Sequence, residues 1–166
     1  MATKTAARTF DTHIDISEDV RAKEIDLLNQ QLADSFDLYS QLKQAHWNVK
    51  GKDFFQLHEL FDTLAEGVLG FVDLIAERAT ALGGTATGTV RMAAGATSLP
   101  EYPDDVVEGM DHVTCLVDRY GRYAKSTREA INTTDEWGDP TTADMFTEIS
   151  REVDKHLYFL ESHIQA

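Results

Sequence analysis

The chain has 166 residues, enough for one domain with a full core and short for two. Hydrophobic residues make up 42% and charged residues 27%, a globular balance that excludes a disordered chain. Acids outnumber bases 29 to 15, a formal charge of −14, which argues against a surface built to grip phosphate backbones and suits one that handles cations. The single cysteine, Cys115, cannot form an intrachain disulfide, and no apolar run is long enough to span a membrane. The N-terminus lacks the apolar stretch of a secretory signal, so the expected location is cytoplasmic.

Residues 1–16 read as a flexible polar tail in which Lys4 and Arg8 are balanced by Asp11 and Asp15. Ser17, followed by Glu18 and Asp19, has the pattern of a helix N-cap with acids over the positive end of the dipole. From there to about Trp47, apolar residues recur at helical spacing, from Val20 and Ile25 through Leu28 and Leu32 to Leu42. Asn48–Lys52 is a turn with Gly51, and Asp53 with Gln56 has the form of a capping box opening a second helix. That helix carries Leu57, Phe61, Leu64, Val68, Phe71 and Ile75 inward and stops near Leu82, at Gly83-Gly84. The segment 85–103 is long for a bundle loop, and Val90–Ala94 is expected to form a short helix within it. A third long helix is expected from about Asp104 to Asn132, and Asp139-Pro140 opens a fourth that runs close to the C-terminus. The fold class is all-α: residues 17–166 form a four-helix bundle with one long connection between the second and third helices.

The chemistry gathers between His46 and Glu77. His46 ends the first helix, while His58, Asp62, Asp73 and Glu77 lie on the second. At 100° per residue, the last three sit about 40°, 60° and 100° around from His58, so all four share one stripe beside the apolar face. A histidine or acid on a helix surface is ordinarily just solvated, and Trp47 would ordinarily be core. Five nitrogen and oxygen donors on consecutive elements are harder to dismiss, and they suit iron, manganese or zinc. His58-Glu59-Leu60-Phe61-Asp62 ends in Asp where a zinc-protease helix requires His. None of the six histidines has a Glu three residues before it, so an intra-bundle di-iron site is absent. No cysteine cluster offers a structural zinc site.

The run His46-Trp47-Asn48-Val49-Lys50-Gly51, then Leu57-His58, Asp62, and Asp73-Leu74-Ile75-Ala76-Glu77-Arg78 before Leu82-Gly83, resembles the two signatures of the Dps family. These are the mini-ferritins, also called DNA-binding proteins from starved cells, and the helix layout agrees from Ser17 onward. The resemblance implies a ferritin-like bundle assembled into a dodecameric cage. Such a cage oxidises Fe(II) with hydrogen peroxide or oxygen and stores ferric mineral, protecting the cell against oxidative stress. It implies His46, His58 and Asp62 as metal ligands from one subunit and Asp73 and Glu77 as ligands from its two-fold partner, with Trp47 beside the site. It further implies Asp118 and Asp144, and less directly Asp139, as acids lining ion pores. Zinc is a competing metal at the same donors.

A site between two chains also follows without the family. Asp62 and Glu77 are fifteen residues apart on one helix, about 22 Å at 1.5 Å per residue, whereas ligands must lie within about 2 to 2.6 Å of a metal. Two antiparallel copies of the helix remove the difficulty. In such a pairing facing residues have a constant sum of their numbers; His58 with Glu77, Asp62 with Asp73, and the small pair Ala65 with Gly70 all share one sum. Glu66 lies near the centre of that stripe and needs a partner or a route to solvent.

DNA binding departs from the family pattern. DNA-binding members typically rely on lysine-rich tails, and this tail offers only Lys4 and Arg8, while His163-Ile164-Gln165-Ala166 adds no basic extension. The competing class is a DNA-compacting structural protein of the same fold with minor iron chemistry.

Overall fold

A computed structural model describes residues 8–165. The helices are α1 (Glu18–Asn48), α2 (Phe54–Ala81), the short α3 (Val90–Ala96), α4 (Gly109–Glu136) and α5 (Pro140–Glu161), and the described residues contain no strand. The pairs α1/α2 and α4/α5 pack as two hairpins, and α1 against α4 and α2 against α5 close the bundle. Residues such as Leu28, Leu42, Phe61, Ile75, Leu116 and Phe146 are removed from solvent between them. Their spacing of three, four or seven along each helix is the reason these segments are helical and stay packed.

The direction of the second hairpin is set by one contact. The Lys50 N–H donates to the Val107 carbonyl at 3.1 Å, so α4 starts beside the α1–α2 turn and runs parallel to α2. The connection from 82 to 108 therefore travels the length of the bundle. It is held to α1 on the way: Asp34, buried on α1, accepts from the Ser98 N–H at 2.6 Å and from the hydroxyls of Ser98 and Thr97. The same pairing corrects the expected start of α4. Residues 107 and 108 are drawn out beside Lys50, with Glu108 extended, and the helix begins at Gly109 instead of Asp104. Its far end reaches Glu136, one turn beyond Asn132.

Helix ends follow their residues with one exception. The Ser17 hydroxyl accepts from the Val20 N–H, and the Asp139 carboxylate from the N–H groups of Thr141 and Thr142, with Pro140 in the first turn. Asp53 makes no side-chain cap bond; instead the Phe54 N–H donates to the Gly51 carbonyl, whose residue takes φ +107°. The capping box is thus not formed.

The segment expected as a tail is docked from Arg8 onward, while residues 1–7, Lys4 among them, lie outside the described residues. The Phe10 N–H donates to the Gly83 carbonyl at 2.8 Å, the Thr85 hydroxyl donates to the Arg8 carbonyl, and Ile14 and Ile16 pack on the core. Gly83 makes this possible. It ends α2 at φ +87°, and a side chain there would meet the Phe10 carbonyl. Gly83→Ala is expected to lower the unfolding free energy by about 1–2 kcal/mol and to speed proteolytic clipping near Phe10. Denaturant midpoints and limited proteolysis check this, and unchanged clipping would show that the segment is not held here.

Candidate metal centre

His46 sits in the last turn of α1 and His58 in the second turn of α2, so the short turn at 49–53 brings them together. Their rings stack with centroids 3.7 Å apart and planes 17° from parallel. The hydrogen bonding is reciprocal: Nδ1–H of His46 donates to the His58 carbonyl at 2.7 Å, and Nδ1–H of His58 donates to the His46 carbonyl at 2.8 Å. A carbonyl can only accept, so the proton of each neutral ring is fixed on Nδ1 and the lone pair on Nε2. A hydrogen bond from one ring nitrogen to a carbonyl is how proteins orient the other nitrogen of an imidazole for a metal. His46 is buried and His58 half-buried, with Phe54 packed 5.1 Å from the His58 ring.

Asp62 lies one turn beyond His58 and is partly exposed. Lys43, one turn before His46 on α1, forms an ion pair with its carboxylate. That hydrogen bond holds the Asp62 carboxyl below its ordinary range. The Lys43 ammonium also lies 5.8 Å over the Trp47 ring, which is 63% exposed and therefore not core. Lys43 was not among the residues read from the sequence, although its place three residues before His46 puts it on the same helix face.

Asp73 and Glu77 are exposed at the far end of α2. Among the described residues, no three His, Cys, Asp or Glu side chains of one chain come close enough together to hold a metal. The donor set is thus split as the helical rise requires, with His46, His58 and Asp62 at one end and Asp73 and Glu77 at the other. Glu66 between them is exposed, so within the chain it has the route to solvent that its charge needs.

The acids expected at pores part company. Asp144 is exposed, and Asp118, 45% exposed, is flanked by Arg119 at 3.3 Å and Arg122 at 3.0 Å. Asp139 is 1% exposed and committed to capping α5 and to the Arg78 guanidinium at 2.6 Å. Its carboxylate faces the chain's own interior, which corrects its assignment to a pore.

Replacing Lys43 with alanine removes the donor that holds Asp62 low. In Lys43→Ala the Asp62 carboxyl is expected to titrate at higher pH, read from its carboxyl-carbon NMR shift. An unchanged midpoint would show that Lys43 does not control it.

The comparisons with known proteins agree with this architecture. A family model described as a ferritin-like domain matches residues 25–166. The DNA protection during starvation protein of Agrobacterium fabrum is 45% identical over 158 residues, covering 95% of this chain and 98% of that protein. Among solved structures, DpsC from Streptomyces coelicolor superposes with a TM-score of 0.92 at 30% identity, covering 99% of this chain and 96% of that one. Mycobacterium smegmatis Dps superposes with a TM-score of 0.91 at 28% identity, covering 95% of each chain. With its five helices, long crossover and His-bearing turn, the chain belongs to the ferritin-like domain family, among its Dps proteins.

Proposed function

We propose that this protein is a Dps-type ferroxidase that oxidises Fe(II) to Fe(III) with hydrogen peroxide or oxygen and stores the ferric mineral inside a dodecameric cage. The observation that carries the reading is the reciprocal His46/His58 pair, which leaves the lone pair of each stacked ring on Nε2, one helical turn from Asp62. On this reading His46, His58 and Asp62 supply one chain's share of the ligands to the Fe(II) substrate, a share that does not close a site by itself. Asp73 and Glu77 of a second, antiparallel copy complete the site, giving two equivalent sites per two-fold dimer. Imidazole retains affinity for the ferrous ion, while anionic oxygen favours the harder ferric ion, so the mixed donor set draws iron toward the oxidised state. Hydrogen peroxide takes one electron from each of two Fe(II) ions and, with two protons, leaves as water; consuming both together protects against oxidative damage. Trp47 stands at the solvent side of the site, under Lys43. Asp118 and Asp144 are proposed to guide cations through the shell by their summed negative potential. Zinc competes for the same donors. No described helix is long and apolar enough to cross a membrane, which fits action in the cytoplasm.

Mixing chains tests where the site lies. His46→Ala/His58→Ala chains and Asp73→Ala/Glu77→Ala chains should each be inactive in Fe(II) oxidation, and mixed dimers should regain one intact site. A site contained in one chain would stay dead in every mixture.

The name of the Agrobacterium fabrum relative refers to DNA protection, and removing Fe(II) and peroxide protects DNA without touching it. With a charge of −14 per chain, few phosphates can be neutralised. The expected result is no stable complex with duplex DNA near neutral pH and physiological salt. A retarded band in a mobility-shift assay without added divalent cation would reinstate the DNA-compacting reading.

A further inference from the structure

Glu24 is the buried group that the proposed iron chemistry leaves unused. It lies in the second turn of α1, is fully removed from solvent, and neither carboxyl oxygen has a hydrogen-bond partner. The charged groups facing it are Asp139 at the head of α5 and Arg78 near the end of α2. Arg21, one turn earlier on α1, is turned away and donates to the carbonyls of Ile16 and Leu82 at 3.2 and 3.0 Å.

Four donors of this cluster converge on Asp139 and none on Glu24. Asp139 accepts from the N–H groups of Thr141 and Thr142, from the Thr142 hydroxyl, and from Arg78. Arg78 spends its Nε–H on the Thr142 hydroxyl oxygen at 2.8 Å. The Arg78 charge acts on Glu24 from nearby, but neither Glu24 oxygen accepts a hydrogen bond from it. An ionised Glu24 would be a bare buried carboxylate beside a second one, with a single cation already engaged. A neutral Glu24 supplies an O–H donor, and the carboxylate beside it is an acceptor.

We propose that Glu24 is protonated at neutral pH and donates a hydrogen bond to Asp139, so that Glu24, Asp139 and Arg78 form a proton-dependent clamp joining α1, the end of α2 and the start of α5. The electrostatics run the same way. Burial, then the neighbouring Asp139, push the Glu24 carboxyl up to about 8. Burial raises Asp139 too, but the hydrogen bonds from Thr142 and Arg78 outweigh it and hold that carboxyl below its ordinary range. The proton therefore belongs to Glu24. Because the folded value is raised, the stability tied to this proton is fully present below the ordinary carboxyl range and is lost as pH rises to about 8. The clamp grips the turn of α2 that carries Glu77, so in the proposed metal site it is also a positioning device; that clause alone rests on the iron reading.

The test is an infrared pH titration of the assembled protein, with hydrogen exchange followed at the end of α2 and the first turn of α5. Ordinary carboxyls are ionised at about pH 7, so a protonated-carboxyl stretch surviving there marks a buried acid. The expected band is present in the unmodified protein, bleaches with a midpoint near about 8, and is lost in Glu24→Gln. Protection of the two helix ends should fall across the same titration in the unmodified protein. It should stay flat in Glu24→Gln, whose amide donates to Asp139 at every pH. Absence of the band at about pH 7 overturns the proposal from the unmodified protein alone, whether or not the variant folds. Identical pH dependence of protection in the two proteins also overturns it. Iron oxidation enters neither measurement, so failure here and failure of the iron reading are separate results.

Discussion

The constraint on which the rest depends is the fixed rise of a helix, about 1.5 Å per residue. The helix α2 is one uninterrupted run of 28 residues, and the proposed metal donors stand at both of its ends. Side-chain reach cannot close the gap between those ends, so the helix by itself cannot bring its own donors together. On the proposed reading, the stripe of His58, Asp62, Asp73 and Glu77 acts as a surface offered to another copy of the helix. The buried side of the same helix, with Phe61, Val68 and Ile75 packed on the bundle, keeps the offered side straight and correctly rotated.

The histidine pair shows how little is needed beyond that. A short turn brings the end of α1 against the start of α2, and two backbone carbonyls finish the task by fixing the protons of two rings. The His46 carbonyl lies in the last turn of α1, where carbonyls lack an intrahelical partner, whereas the His58 carbonyl, near the start of α2, accepts the His46 ring with its second lone pair. The site is therefore built from features that any tight helical hairpin offers, sharpened by where two histidines happen to stand.

Burial sorts the many acids of this chain into different occupations. Asp34 ties the long connection to α1, Asp139 caps α5 and holds Arg78, and Glu24 stands among them without a donor of its own. Asp73, Glu77, Glu66 and Asp144 face outward. The first group is structural because low-dielectric surroundings make every unpaired charge expensive. The second lies in water, where an unpaired carboxylate costs little. A composition count treats the two alike.

The helices and their order were legible because periodicity and spacing are local properties that chain chemistry imposes directly. Ser17 and Asp139 declared their helix starts, and the His46–Glu77 signatures declared the family. Glu24 also left a trace, since it lies four residues before Leu28 on the inward face, but the pattern alone does not distinguish a buried acid from a solvated one. What only the tertiary structure decided lies in contacts between residues distant in sequence. Pairing of Lys50 with the residues before Gly109 moved the start of α4, and the Phe10–Gly83 bond turned an expected tail into a docked segment. Lys43 reached Asp62, and Arg78 drew Asp139 inward from the pore that its resemblance implied. Each of these depends on which partner the fold delivers, and a carboxylate's role is set by the dielectric and the donors it meets there, not by its neighbours in the chain.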